Sequence, residues 1–368
     1  MSEFIVSARK YRPSAFDEVV GQKHITDTLK NEIESGKLAQ AFLFTGPRGV
    51  GKTTCARILA KVINSKEGEK EQDYSFNIFE LDAASNNSVD DIRSLTDQVR
   101  IPPQTGNYKV YIIDEVHMLT SQAFNAFLKT LEEPPSYAIF ILATTERHKI
   151  IPTVLSRCQV FNFNRIKTDE MVFQLKQICE KEGINAEDEA LHLIAEKADG
   201  GMRDALSIFD QLVSFSNGDV TYDKAIENLN VLDTEFYFEI FNAILAQDIP
   251  STLVSFDTIL TKGFEGSLLL AGLSEHIRNL MVCQNKDSEK LLEVSDRFKA
   301  KYKEQALRST DNFLLNSLNI INRSELDYRM SKNQRLHTEL ALMKLCRLKS
   351  TFEILESDED GLKKKALI

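Results

Sequence analysis

Gly46-Pro47-Arg48-Gly49-Val50-Gly51-Lys52-Thr53 fits the pattern G-x-x-x-x-G-K-[ST]. It follows the apolar run AFLFT at 41–45 and opens a segment, 52–63, with helical spacing. That context decides its reading. The glycines let backbone amides turn inward around a phosphate, and the N-terminus of the following helix adds partial positive charge. Lys52 is expected to reach the β- and γ-phosphates of a nucleotide, and the Thr53 hydroxyl to ligate Mg²⁺. A glycine-rich turn could mimic the pattern, but strand, loop and helix are all in place here.

Outward from this loop, short apolar runs recur at 76–81 (FNIFEL), 110–113 (VYII) and 138–143 (AIFILA), with amphipathic stretches such as 121–131 between them. Strand alternating with helix predicts a doubly wound α/β domain around a buried parallel sheet. The run at 110–113 ends in Asp114-Glu115. An acidic residue at the carboxyl end of such a strand lies beside the phosphate loop. Asp114 is expected to hold Mg²⁺, directly or through water, and Glu115 to orient and polarise an attacking water. Alone, such a pair would more often cap a helix. About sixty residues after a phosphate loop, the catalytic reading is favoured.

From about Lys167 the strand signal disappears. Residues 171–182 and 186–198 have helical spacing, Gly200-Gly201 breaks the pattern, and 202–215 resumes it. Asn217-Gly218-Asp219 is a turn signal, and an all-helical block runs from about 231 to 349. The charge run at 356–365 (ESDEDGLKKK) carries little apolar content and is expected to be disordered. The expected divisions are 1–166, 167–230, 231–350 and a tail at 351–368.

Composition agrees with two or three packed domains. The chain has 368 residues, of which 42% are hydrophobic and 27% charged. The net charge of −10 is uneven: residues 1–165 hold 20 basic and 20 acidic side chains, and residues 166–368 hold 25 and 35. Contact with nucleic acid must therefore be local rather than a coating. Cys55, Cys158, Cys179, Cys283 and Cys346 are scattered singly, so neither a zinc cage nor a disulfide framework is expected. No apolar run reaches membrane-span length, and residues 1–14 lack a secretory pattern. A cytoplasmic address is expected.

Further motifs narrow the reading. Ala8-Arg9-Lys10-Tyr11-Arg12-Pro13 with Asp17-Glu18-Val19-Val20-Gly21-Gln22 resembles the N-terminal box of clamp-loader ATPases. LDAASNN at 81–87, IDEVHML at 113–119, NAFLKTLEEPP at 125–135, LATT at 142–145, Ser156-Arg157-Cys158 and GGMRDAL at 200–206 resemble the γ/τ subunits of the bacterial clamp loader, in family order. The chain is identified as a member of that AAA+ group. The resemblance implies a P-loop α/β domain, a helical lid, and a C-terminal all-helical collar. It also implies ATP and Mg²⁺ as ligands.

The resemblance assigns roles residue by residue. Arg9, Tyr11, Arg12, Val19 and Val20 would close over the adenine. Gly46, Pro47, Arg48, Gly49, Val50, Gly51, Lys52, Thr53 and Thr54 would cradle the phosphates. Thr145, rather than Thr144, would sense the γ-phosphate. Arg157 would be an arginine finger serving a neighbouring subunit's site, and Arg203 a second sensor acting in cis. Cys158 fits a packing residue, and His117 a structural hydrogen-bonding role. Backbone amides and side chains around Asn86-Asn87-Ser88, with Arg93 and Thr153, are candidates for DNA phosphate contact.

One departure stands out. The family usually carries a four-cysteine zinc module after the phosphate-loop helix, and the stretch 64–74 here has no cysteine. No zinc is expected. The implied function is an ATP-driven subunit that opens a sliding clamp and loads it on primer–template DNA. It would work within a DNA polymerase III holoenzyme, in a pentamer with δ, δ′ and copies of itself. Two alternatives are a catalytically silent structural subunit, and a helicase-like or recombination-associated AAA+ ATPase.

Overall fold

A computed structural model describes residues 5–65, 76–104, 106–285, 287–288, 291–292 and 294–365. The chain divides into two compact units, residues 1–220 and 221–368. The first unit opens with α1 (Ser7–Lys10) and α2 (Lys23–Ser35). It then alternates β1 (Ala41–Thr45), α3 (Lys52–Asn64), β2 (Ile78–Asp82), α4 (Val89–Val99), β3 (Lys109–Asp114), α5 (Ser121–Glu132), β4 (Ala138–Thr144), α6 (Pro152–Leu155) and β5 (Gln159–Asn162). Helices α7 (Thr168–Glu182), α8 (Asp188–Lys197) and α9 (Met202–Ser216) complete it, with two-residue strands β6 (Asn185–Ala186) and β7 (Asp219–Val220).

The five main strands pair in the order β2-β3-β4-β1-β5, all parallel. Side chains alternate between the two sheet faces, and both faces are covered. Phe42, Phe44, Ile112 and Ile141 pack with Ile25 and Leu29 of α2 and Ile58 and Leu59 of α3. Leu43, Tyr111, Ile113, Phe140 and Leu142 pack with Ile92 of α4 and Phe127 of α5. Phe127 and Phe140 are fully buried edge to face at 5.2 Å. Full burial of each is worth about 1.5–3 kcal/mol.

Four strands differ from the sequence reading. β2 begins at Ile78 rather than 76, because Phe76 is 66% exposed while the Asn77 side-chain Nδ2 donates to the Tyr108 carbonyl. β5 was not anticipated. Its four residues, half of them polar, lie at the sheet edge, where only Phe161 is buried. The β6–β7 ladder in the helical part was missed for the same reason, since two residues carry no period.

The second unit holds α10 (Tyr222–Leu229), α11 (Thr234–Leu245), α12 (Ile249–Thr261), α13 (Gly266–Gln284), α14 (Asp296–Ala306), α15 (Asp311–Tyr328) and α16 (Gln334–Lys365). Phe241, Phe256, Leu270, Ile277, Leu314 and Leu345 lie in its interior. Here α16 runs on to Lys365, where a disordered tail was expected from 351. Residues 366–368 lie outside the described residues. Among the described residues no helix is long and apolar enough to cross a membrane.

Candidate nucleotide-binding site

Parallel pairing aligns β1, β3 and β4 so that their carboxyl ends meet on one side, with Thr45 opposite Thr144 and Asp82 opposite Asp114. The phosphate loop leaves β1 there. Gly46 takes φ 145°, and a Cβ at this position would stand 2.3 Å from the Phe163 carbonyl oxygen, so only glycine fits. Gly51, at φ 104°, starts α3. The helix N-terminus thus faces a cleft of about 640 Å³.

The loop curls around Lys52, which is 6% exposed and donates to the carbonyls of Gly46 (2.8 Å) and Pro47 (2.7 Å). Burial holds its ammonium below the usual lysine value, while the negative charges of Glu115 and Asp114 oppose that shift. Thr53 Oγ1 donates to Asp114 Oδ2 at 2.7 Å. This pair of oxygens suits a hard cation such as Mg²⁺, so the residues present fit the metal expected with a nucleotide.

Glu115 follows in left-handed backbone conformation, φ 47°. Its Oε2 accepts from the Thr145 amide (3.2 Å) and the Thr145 hydroxyl (3.0 Å). Thr145 therefore does not line the cleft itself but bonds Glu115, which does.

The remaining walls come from distant segments: Ala8, Tyr11, Arg12, Pro13, Val19 and Val20 before the sheet, then Ile166, Gln174, Met202, Arg203 and Leu206 after it. Lid and loop touch closely. A Cβ on Gly201 would stand 3.1 Å from the Arg48 carbonyl oxygen, and the Arg203 amide donates to the Gly49 carbonyl at 3.4 Å. Arg48, Gly49, Val50, Gly51, Thr53 and Thr54 of the loop line the cleft. Tyr11 lines it too, with its hydroxyl donating to Glu182.

Some candidates lie elsewhere. Arg9 is exposed and does not line the cleft, because the short helix α1 presents Ala8 instead. Gly46 and Pro47 serve as acceptors for Lys52 and are not lining residues. Arg157 is also outside. Its guanidinium donates to Glu132 Oε1 (2.6 Å), the Thr153 carbonyl (2.8 Å) and Ser156 Oγ (3.1 Å). Ser88 caps α4, accepting from the Asp91 amide at 3.2 Å, and exposed Arg93 pairs with Asp90. Burial pushes the Cys158 thiol up to about 12, which suits packing and not attack.

The sequence reading missed Gln174, Ile166, Met202 and Leu206, whose types carry no chemical signature. It also gave Gln22 no role. That side chain is fully buried, donating to the Asn164 carbonyl (2.7 Å) and accepting from the Asn164 amide (3.2 Å). It ties the N-terminal segment to the strand end beneath the cleft.

Most of the cysteine-free stretch at 64–74, residues 66–74, lies outside the described residues. The purified chain is expected to hold no stoichiometric zinc, because its five cysteines offer no paired spacing. Elemental analysis giving about one zinc per chain would overturn this.

Three family models match in succession. They are "DNA polymerase III, delta subunit" over residues 21–167, "DNA polymerase III clamp loader subunit, ATPase lid domain" over 170–218, and "DNA polymerase III subunits gamma and tau domain III" over 220–358. DNA polymerase III subunit tau of Bacillus subtilis is 37% identical over 92% of the chain, which covers 62% of that relative. The Escherichia coli tau subunit is 35% identical, with 55% of its length covered. The chain thus spans little more than half the length of these tau relatives. A Thermotoga maritima RuvB variant matches in structure with a TM-score of 0.50 at 20% identity, over 64% of this chain and 79% of that one, which speaks to the fold alone. DNA polymerase III subunit gamma of Buchnera aphidicola subsp. Baizongia pistaciae is 32% identical over 93% of this chain and 97% of its own length. With so nearly complete a match to a gamma subunit, the chain belongs to the family of DNA polymerase III gamma and tau subunits.

Proposed function

We propose that this chain is an ATP-hydrolysing motor subunit of a clamp loader. The observation that carries the reading is the convergence of Lys52, Thr53, Asp114 and Glu115 in one cleft whose lining also includes Val19, Val20, Ile166 and Leu206. Apolar walls of this size suit a purine base, and the loop amides with Lys52 suit its phosphates. Lys52 would exchange two loop carbonyls for phosphate oxygens. Thr53 and Asp114 would hold Mg²⁺, which supplies neutralising charge between the phosphates. Glu115 would polarise the attacking water, and Arg203, at the start of α9, would contact the nucleotide from the lid in cis. The working parts would divide near residues 166 and 230.

Arg157 would serve the site of a neighbouring subunit within a pentamer containing δ, δ′ and further copies. Leu307, Leu326 and Met330 of the helical unit are 89%, 73% and 88% exposed, apolar surface that such neighbours could cover. ATP binding would set the subunits to grip and open the sliding clamp in the cytoplasm, and primer–template DNA would trigger hydrolysis and release. A silent structural subunit would have no need of the four polar residues together. A helicase-like ATPase would unwind duplex DNA, and strand displacement assays on the purified chain separate that reading from this one.

Lys52→Ala is the direct test. Truncating one partner of a buried charge pair costs about 2–5 kcal/mol. ATP affinity, measured by fluorescent-nucleotide titration, is expected to fall by roughly 10²-fold while the fold persists. Near-normal affinity would sink the assignment.

A further inference from the structure

His117 sits on the turn Val116–Met118 directly after Glu115, with its side chain only 6% exposed. It does not line the nucleotide cleft. Each ring nitrogen faces a carboxylate: Nδ1 is 3.4 Å from Glu115 Oε2, and Nε2 is 3.4 Å from Glu146 Oε1. Nδ1 also lies 3.0 Å from Thr144 Oγ1, a hydroxyl that already accepts from the Glu146 amide at 3.0 Å. The Glu115 oxygen beside the ring is the one that accepts from Thr145. Thus a buried ring joins the carboxylate of Glu115 to Thr144 and Glu146 at the end of β4, while Thr145 between them bonds that carboxylate directly.

Glu146 faces outward as well. It binds Lys149 at 2.8 Å and lies 3.5 Å from His148, in the turn leading to α6 and Arg157. The Lys149 ammonium, helped by His117 and His148, holds the Glu146 carboxyl below the usual range. The turn carrying His148 and Lys149, which leads on to α6, is therefore one side chain removed from the ring.

We propose that His117 is a positioning residue for hydrolysis, fixing the carboxylate of Glu115 and tying it to Glu146 and the segment that follows. The proposal rests on the reading of Glu115 as the residue that polarises water. A left-handed Glu115 backbone leaves the aim of its side chain to its partners, and misplacement by about 1 Å can cost on the order of 10²-fold in rate. His117 does not itself line the cleft, and the lining residue it contacts is Glu115, whose proposed part is in turnover rather than in binding, so ATP affinity should not sense its loss.

The test measures ATP affinity of the full chain, and turnover at saturating ATP in its reconstituted complex, for Glu115→Gln, His117→Ala, His117→Asn, His117→Gln and the double variant Glu115→Gln/His117→Ala. His117→Ala is expected to keep ATP affinity within about twofold while turnover falls roughly 10- to 100-fold. Asparagine places a polar atom near the Nδ1 position and should recover most of the turnover; glutamine mimics Nε2 and should recover less. The double variant should be no slower than Glu115→Gln alone, since the ring acts through that carboxylate. Unchanged turnover in His117→Ala, or multiplicative losses in the double variant, overturns the proposal while a slow Glu115→Gln leaves the ATPase reading standing. Parental turnover in Glu115→Gln takes down both. If His117→Ala does not fold, asparagine outperforming glutamine at equal affinity supports the proposal, and equal losses overturn it.

Discussion

Glu115→Gln is expected to bind ATP as tightly as the parent chain and to hydrolyse it about 10²- to 10⁴-fold more slowly. The substitution keeps shape. Oε1 or Nε2 of glutamine can still meet the Thr145 hydroxyl, which lies 3.0 Å from the carboxylate now. The residues proposed to hold the phosphates, Lys52 and the loop, are untouched, as is the Thr53–Asp114 pair. What disappears is a basic oxygen able to draw a proton from water, so the loss falls on turnover alone. Titration with labelled ATP beside steady-state hydrolysis in the reconstituted complex separates the two. An unchanged rate would remove Glu115 from the chemistry. A loss of affinity as large as the loss of rate would make it a binding residue.

How legible this site was depends on what kind of constraint each residue carries. The phosphate loop could be read directly because its chemistry is imposed on eight consecutive residues between a strand and a helix. Asp114 and Glu115 were legible through position, at the end of a run whose residues Val110 to Ile113 are all buried. Central strands announce themselves this way, whereas β5, on an edge and only four residues long, does not. The apolar lining of the cleft was legible only in part. Val19 and Val20 came with a recognisable box, but Ile166 and Leu206 are ordinary apolar residues brought to the cleft by tertiary packing.

Conformation was the least legible layer. Nothing in the sequence marks Glu115 as left-handed, or shows that the first helix turns Ala8 rather than Arg9 to the cleft. Gln22 stood inside a quoted motif without a role, because its function is to satisfy the backbone of Asn164, 142 residues away. Polar side chains of this sort are recognised only once their buried partners are known.

Arg157→Ala is expected to leave ATP binding by the isolated chain within about twofold, and to cut stimulated hydrolysis in the assembled complex by about 10³-fold or more. The first expectation follows from placement. The guanidinium lies on the surface, held by Glu132, Thr153 and Ser156, and none of the cleft lining depends on it. Its partner Glu132 is 48% exposed, and an exposed pair of this kind contributes about 0–1 kcal/mol, so the fold should survive. The second expectation follows from electrostatics. Charge developing on the transferred phosphoryl group is stabilised by a preorganised cation in a water-poor interface, and removing it leaves that charge unmatched. Such a division of labour has a signature that a self-contained enzyme cannot produce. A subunit carrying Arg157→Ala with a sound pocket, placed beside a Lys52→Ala subunit with a sound arginine, should regain hydrolysis at the interface where the sound pocket meets the sound arginine. Mixed assemblies measured against each variant alone read this out. If mixing restores nothing, or the isolated Arg157→Ala chain loses ATP affinity, the arginine supports its own subunit and the site is not shared.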